Sequence, residues 1–452
     1  MNTNTKVRVR YPPSPTGYCH IGTARMALLN YMFAKKRGGM IVLRIEDTDR
    51  QRSTKEFEED IKNGLQWLGL SWDDFARQSE RLESHKAAIQ RLIAEDRAYV
   101  SEEESKKEPG KKIAPVRLRN PGTQITFTDI IRGDITFDTA DLGDFVIARR
   151  VDDPLYHLAV VVDDAEMYIT HVIRGEDHIS NTPRQILIQE ALGYERPAYA
   201  HFPLHLAADR SKLSKRKGDV AVRDYRAQGF LPEAMLNYLA VVGWTPPSGK
   251  EILTLQEMTD EFELADIHKS GGIFDLEKLR WYNRQYLRAL EDGVFASAML
   301  PVLQSAMEQR NLSWNGSMAR LLMPLIRERV SVARDIADLV AEGEFDFFFS
   351  DPQPEATRVP NKKSDAQEAA THLKHAYDAF ENIADTGWNE EALKETLWAY
   401  ASEKGRGAVL WPLRYALSGR ERSPDPFAIA AIIGKEATLR RITNAINVLK
   451  KI

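Results

Sequence analysis

Two short runs in this 452-residue chain carry residue types that could handle phosphates. The first lies in Arg10-Tyr-Pro-Pro-Ser-Pro-Thr-Gly-Tyr-Cys-His-Ile-Gly-Thr-Ala-Arg25, and the second is Lys212-Leu-Ser-Lys-Arg-Lys-Gly218. In the first, His20 and Gly22 stand where a helix N-terminus would present free N–H groups to an anion, and the glycine lets a flat base approach the backbone. In the second, Lys212 and Lys215 are flexible point charges able to meet phosphate oxygens, and Gly218 permits the loop to close and open. Each run also fits a bland role: a capped helix start with a hydrogen-bonded histidine, and a solvated basic face. Further along, Glu46, Asp47 and Asp49 end one apolar run, where they either hold a ligand or cap the next helix. Arg174 and Asp177 end another. Taken singly, Arg174 would be a surface ion-pair former and Tyr156 a core residue.

The elements that must position these groups are readable from pattern. Lys6-Val-Arg-Val-Arg-Tyr11 alternates like a strand, three prolines then force a stiff loop, and Ala24, Leu28, Tyr31 and Met32 follow at helical spacing up to a Gly38-Gly39 cap. Gly39 to Asp49 reads as a buried parallel strand with its polar groups at the carboxyl end. Residues 54 to 69 form an amphipathic helix with Phe57, Ile61, Leu65 and Leu68 on one face, and Trp67 and Trp72 are packing residues. Ser101 to Lys112 is a solvated linker. Val116-Arg-Leu and Gln124 to Phe137 alternate like strands, with Arg132-Gly133-Asp134 as a hairpin turn. Pro154 to Asp164 and His171 to His178 read as two buried strands, and Ser180-Asn-Thr-Pro-Arg184 opens a crossover helix through Ile186, Leu187 and Leu192. Gly229 to Trp244 is a helix ended by Gly243 and Pro246-Pro247, and Phe274-Asp275 opens another. The last third is helical by period, broken by a loop at Asp351 to Lys363. Its final helix carries a core stripe of Leu439, Ile442, Ile446 and Leu449.

Composition sets the bounds. A chain of this length holds two or more domains, and 43% hydrophobic with 28% charged residues suits a water-soluble globular protein. No apolar run reaches the ~20 residues of a membrane helix, and Met-Asn-Thr-Asn-Thr-Lys lacks a signal core, so a cytoplasmic protein is expected. The single cysteine, Cys19, excludes an internal disulfide and a multi-cysteine zinc site, and it is a small filler. A net charge of −4 is compatible with an RNA-binding face that is locally basic.

Pro13-Ser-Pro-Thr-Gly17 followed by His20-Ile-Gly-Thr23 resembles the first signature of class I aminoacyl-tRNA synthetases, in the glutamyl and glutaminyl branch. Lys212-Leu-Ser-Lys-Arg resembles their Lys-Met-Ser-Lys-Ser loop, and Arg44-Ile-Glu-Asp-Thr-Asp49 their amino-acid-binding segment. Trp411 to Arg420 and Gly434 to Arg441 look like the helical anticodon-binding domain of bacterial-type glutamyl-tRNA synthetases. The resemblance implies a Rossmann-type α/β catalytic core over residues 1–245 and a small α+β acceptor-binding insertion at about 95–155. A helical stem-contact region over 246–320 and an all-α anticodon-binding domain over 321–452 would follow. Lys278, Arg280 and Arg284 would face tRNA phosphates. The resemblance assigns ATP to His20, Gly22, Asp177, Lys212, Ser214 and Lys215, with His20, Gly22, Lys212 and Lys215 catalytic. Glutamate falls to Arg10, Ser14, Glu46, Tyr156 and Arg174: Glu46 takes the ammonium, and the two guanidinium forks take the side-chain carboxylate. Against a neutral amide those forks would leave donors unpaired, which separates glutamate from glutamine.

The implied reaction joins L-glutamate to tRNA(Glu) through glutamyl-adenylate, with ATP and Mg²⁺ and without a covalent enzyme intermediate. In the family the first step also needs bound tRNA, and a monomer is the family expectation. The insertion departs from many relatives in being short and free of cysteines, so no structural zinc is expected. The rivals are glutaminyl-tRNA synthetase, which ends in β-barrels, and a small-metabolite nucleotidyltransferase, which would leave the C-terminal part without a purpose. A non-catalytic RNA-binding relic would not keep the chemistry-bearing residues.

Overall fold

The computed structural model describes residues 6–105, 110, 112–207, 209–211, 221–361 and 364–451. The chain divides into two compact units, Met1–Tyr286 and Leu287–Ile452. In the first, β1 (Arg8–Tyr11), β2 (Met40–Ile45) and β3 (Asp74–Arg77) pair in parallel, β1 with β2 and β2 with β3. Two crossover helices, α1 (Ile21–Lys36) and α2 (Lys55–Trp67), join them. Local chemistry starts and stops each one. His20 caps α1 by accepting from Gly22 N, and Lys35 and Lys36 lie in its last turn, where cations oppose the helix dipole. Thr54 caps α2 by accepting from Phe57 N. Gly38 takes φ +59°, and Gly39 N returns to Ala34 O at 2.8 Å.

Gly39 is fixed by contact. A Cβ there would stand 2.6 Å from the Val7 carbonyl oxygen, the acceptor of Met40 N. Gly39→Ala should therefore cost about 2 kcal/mol of stability, read as a lowered urea midpoint with unchanged slope.

The other half-sheet has β12 (His171–Gly175) and β13 (Ala198–Phe202) in parallel, joined by α5 (Thr182–Leu192). Thr170 N donates to Arg8 O and Arg8 N donates to Thr170 Oγ1, each at 2.9 Å, which lays the start of β12 beside β1. From these two neighbours the chain crosses over in opposite directions, and such a switch point opens a crevice at the carboxyl ends of the strands. Arg10 and Arg174 sit at those ends. The hairpin β8 (Gln124–Asp129) and β9 (Gly133–Asp138) extends this sheet, because β13 pairs in parallel with β8 at Tyr199 and Asp129. Gly133, at φ +84°, begins the returning strand. A separate antiparallel sheet holds β4 (Ala98–Val100), β7 (Val116–Leu118), β10 (Phe145–Arg150) and β11 (Asp153–Pro154). The linker between β4 and β7 contains a two-residue pair, β5 (Glu103–Glu104) with β6 (Lys112–Ile113).

The expected strand over Pro154 to Asp164 is a helix, α4 (Tyr156–Glu166). It is buried on several faces: Leu158, Val160, Val161 and Val162 are all at most 2% exposed. Such an apolar run has no period to separate helix from strand, and packing against α3 (Leu82–Ala94) and α5 overrides the β-propensity of its valines. The expected helix over Gly229 to Trp244 is confined to α7 (Pro232–Val241), after α6 (Val222–Gln228) ends at Gly229. Next come α8 (Leu255–Glu261) and α9 (Leu276–Ala289), with Asp275 Oδ1 accepting from Glu277 N at 2.9 Å.

Every regular element among the described residues of the second unit is a helix, from Asp292–Gln309 to Lys435–Leu449. Its last helix buries Thr438, Arg441, Ile442, Ala445 and Leu449, so Leu439 and Ile446 flank the core face and do not centre it. Asp351 is held by hydrogen bonds from Arg440 and Arg441, which draw its pKa down to about 2 against partial burial. A lowered folded pKa gives stability that is present above the ordinary carboxylate range and is lost as pH falls toward 2. Asp351→Asn should cost about 1 kcal/mol at pH 7, after allowance for solvent screening, with the difference vanishing near pH 2 in paired urea titrations.

Candidate active site

A cavity of about 1500 Å³ opens over the carboxyl ends of β1, β2 and β12. Arg10, Ser14, Glu46, Tyr156 and Arg174 line it together. So do His20, Gly22 and Asp177. The structure thus gathers these eight into one space, whereas Asp47 lies off it with its carboxylate bonded by Ser79. Lys212, Ser214, Lys215 and Gly218 lie outside the described residues.

The proline loop is pinned by its carbonyls, since prolines have no N–H to give. Glu46 N donates to Pro13 O at 2.9 Å and Thr54 N to Pro15 O at 3.1 Å, which anchors the loop to the end of β2 and the start of α2. His20 follows, with Nδ1 accepting from Gly22 N at 3.0 Å. An accepting Nδ1 leaves the ring proton on Nε2, so His20 is a neutral N–H donor. A Cβ on Gly22 would stand 3.2 Å from that Nδ1. Gly22→Ala should tilt the ring and weaken the binding of a nucleoside triphosphate, used as an anion probe at this helix N-terminus, about tenfold by calorimetric titration.

Three buried arginines define the electrostatics. Arg44 reaches Asp164 Oδ1 at 2.7 Å and Glu46 Oε1 at 2.9 Å, and Arg10 Nε shares that Asp164 oxygen at 3.3 Å. Both bonds from Arg44 to Glu46 end on Oε1, which leaves Oε2 for another cation. Burial pushes the Glu46 pKa up and Arg44 opposes it, so a second cation there would favour the charged form. Arg174 differs. It bonds His201 Nε2 at 3.0 Å, Gln185 Oε1 at 2.8 Å and Thr182 Oγ1 at 2.8 Å, and all three are neutral acceptors. Burial pulls its pKa down, and no carboxylate is bonded to it. A buried guanidinium without an anion is costly, and it is the natural seat for a carboxylate that arrives with a ligand. Tyr156 Oη stands 3.3 Å from His178 Nδ1, and burial raises its pKa to about 12, which keeps the phenol a neutral donor.

Comparison with known proteins supplies the family. Residues 6–108 and 100–281 match the family of tRNA synthetases class I (E and Q), catalytic domain, and residues 276–446 match an anticodon binding domain. The glutamate–tRNA ligase of Carboxydothermus hydrogenoformans is 37% identical, over 98% of this chain and 100% of that one. The chain belongs to the glutamate–tRNA ligases. That of Heliobacterium modesticaldum is 36% identical over 97% and 96% of the two chains. The crystal structure of a glutamate tRNA ligase from Elizabethkingia meningosepticum, in complex with its amino acid, superposes with a TM-score of 0.84 at 32% identity, covering 98% of this chain and 100% of that one.

Several residues of this synthetase's site carry no sequence signal. Asp164 reads as one of two acids ending an apolar run, yet it joins Arg10 to Arg44. Its neighbour Asp163 turns the other way, to Arg81 at 2.7 Å, His85 at 2.8 Å and Gln78 at 2.8 Å. Asp129, His201, Thr182 and Gln185 act behind Arg174 and do not line the cavity. Arg25 is 1% exposed, with Nη1 on Pro203 O at 2.6 Å and with Nε and Nη2 unpartnered. Only spatial proximity identifies these groups. No helix among the described residues is long and apolar enough to cross a membrane.

Proposed function

We propose that the enzyme, a cytoplasmic monomer, activates L-glutamate with Mg·ATP and transfers it to the 3′ end of tRNA(Glu). The observation that carries the specificity is Arg174, a buried cation bonded only to neutral groups beside Arg10. The glutamate side-chain carboxylate seats between these two guanidiniums. Three of the five N–H groups of Arg174 are bonded within the protein, and the remainder serve the substrate. Ser14 and Tyr156 add hydroxyls to the same pocket, and Glu46 Oε2 accepts from the substrate ammonium.

In the first step a glutamate α-carboxylate oxygen attacks the α-phosphorus of ATP, the bond to the bridging oxygen breaks, and diphosphate leaves. His20 donates Nε2–H to a phosphate oxygen, Gly22 lets the nucleotide lie against the backbone, and Asp177 binds ATP from the β12 side. Lys212, Ser214 and Lys215 follow the charge onto the diphosphate. Mg²⁺ would be held chiefly by the triphosphate and water, since the described residues form no cluster of three or more metal-ligating side chains, and would supply charge neutralisation there. In the second step the terminal ribose hydroxyl attacks the glutamyl carbonyl carbon and AMP leaves. Positioning and charge stabilisation supply the rate, and no side chain acts as a nucleophile. Lys278, Arg280 and Arg284 on α9 contact tRNA phosphates, and the second unit reads the anticodon. Incubation of the full chain with bulk bacterial tRNA, Mg·ATP and radiolabelled glutamate should give acid-precipitable label with one AMP released per glutamate attached. Absence of label with every tRNA fraction would refute the proposal.

A further inference from the structure

Behind Arg174 runs a buried pair of groups, Asp129 and His201, that the reaction itself does not use. His201 is 0% exposed and Asp129 1%. Asp129 Oδ2 lies 2.7 Å from His201 Nδ1, and His201 Nε2 lies 3.0 Å from Arg174 Nε. An arginine Nε–H can only donate, so His201 Nε2 must carry a lone pair and the ring proton must sit on Nδ1, aimed at Asp129. The carboxylate is pinned in turn. Its Oδ1 accepts from Ile131 N and Arg132 N, each at 3.0 Å, and its Oδ2 accepts from His201 N at 3.0 Å as well. The backbone turn fixes Asp129, Asp129 fixes the His201 tautomer, and the tautomer fixes Arg174.

We propose that Asp129 and His201 are positioning residues for glutamate selection: they orient the Arg174 guanidinium through a neutral ring and leave its charge unopposed. This rests on the reading of Arg174 as a seat for the substrate's side-chain carboxylate. The imidazole is the informative part. A carboxylate bonded directly to Arg174 would hold it equally well but would neutralise it, and an incoming carboxylate would then gain little. An imidazole between the two supplies an acceptor of fixed direction and keeps the Asp129 charge one group further away. Gln185 Oε1 and Thr182 Oγ1, also neutral, complete the cradle on the other two guanidinium nitrogens. Asp129 belongs to the β8–β9 hairpin, so the turn that joins these strands sets the geometry of a pocket it does not line.

The test is steady-state tRNA charging by the enzyme and four variants, reading KM for glutamate, KM for ATP and kcat separately. His201→Phe keeps the ring that packs on Tyr199 and Phe127 and removes both nitrogens. It should raise KM for glutamate about 30-fold, with KM for ATP within about twofold of the parent. His201→Gln, which again offers an acceptor to Arg174, should recover KM for glutamate to within about fivefold. Asp129→Asn lets an amide donate to Nδ1 and so drives the ring proton onto Nε2, facing the Arg174 donor; it should mimic His201→Phe and decides the matter if that variant does not fold. A folded His201→Phe or Asp129→Asn protein with unchanged KM for glutamate would overturn the inference. So would equal rises for glutamate and ATP without rescue by glutamine. Arg174→Ala is the control: an unchanged KM for glutamate there would sink the reading of the site itself, whereas a raised KM there with a silent His201→Phe would sink only the positioning role.

Discussion

Arg174→Ala is expected to lower kcat/KM for glutamate in tRNA charging by about 10³-fold, or ~4 kcal/mol, while KM for ATP stays within about twofold. The size follows from what the truncation leaves behind. Arg174 is 4% exposed, and its partners are Gln185, Thr182 and His201. Without it, three acceptors lose their donor and the substrate carboxylate enters a desolvated pocket with Arg10 as its main cation. Arg10 is already shared with Asp164 and with the Ile173 carbonyl, so it cannot compensate. Arg174→Lys should recover little, because one ammonium cannot meet three acceptors in the fork's directions and still address a ligand; a fall of about 10²-fold is expected. A loss below tenfold for the alanine variant would remove Arg174 from the specificity pocket.

The largest stability effect is expected at Asp164. Its Oδ1 is the meeting point of Arg10 Nε and Arg44 Nη1, at 3.3 and 2.7 Å, and its side chain is 7% exposed. Asp164→Ala would leave two buried guanidiniums facing one another, with Glu46 and, at longer range, Asp163 to oppose them. Removing one partner of a buried ionic cluster costs about 3–5 kcal/mol, a large part of the ~5–15 kcal/mol that holds a folded protein together. The variant should melt well below the parent in calorimetry. Asp164→Asn, which keeps an acceptor in place and loses the charge, should recover roughly half of that cost. A loss under 1 kcal/mol for the alanine variant would mean that Arg10 and Arg44 are neutralised by other means.

What the sequence discloses about this site depends on where each residue's job is visible. His20, Gly22 and Arg10 sit in a contiguous stretch whose prolines, glycines and helix cap make a local structure, and local structure is what spacing encodes. Glu46 and Arg174 end apolar strands, so the period and its interruption place them. Tyr156 reaches the cavity by another path. It opens a helix where a strand was expected, because α4 is buried on several faces and its valines mask the helical period. Asp164 was therefore legible as an acid at the end of a buried element, but its position in the last turn of a helix, between two arginines, was not. Asp129 and His201 are 72 residues apart and meet only because β13 pairs with β8, a long-range register that no local pattern specifies. The hairpin was readable as two alternating strands; its membership of the main sheet was not. Motif and period expose groups that line the cavity from loops and strand ends, while the groups that hold them in place are defined by packing.

The most direct measurement is the ratio of kcat/KM for glutamate over glutamine in tRNA charging by the unmodified enzyme. A pocket built on two guanidiniums leaves buried donors unpaired against a neutral amide, and a site of that kind rejects the wrong partner by about 10⁴-fold or more. A ratio of that order is the expected result. Glutamine charged within about tenfold of glutamate would contradict it, since the cation bonded only to neutral groups would then have no role in choosing the substrate.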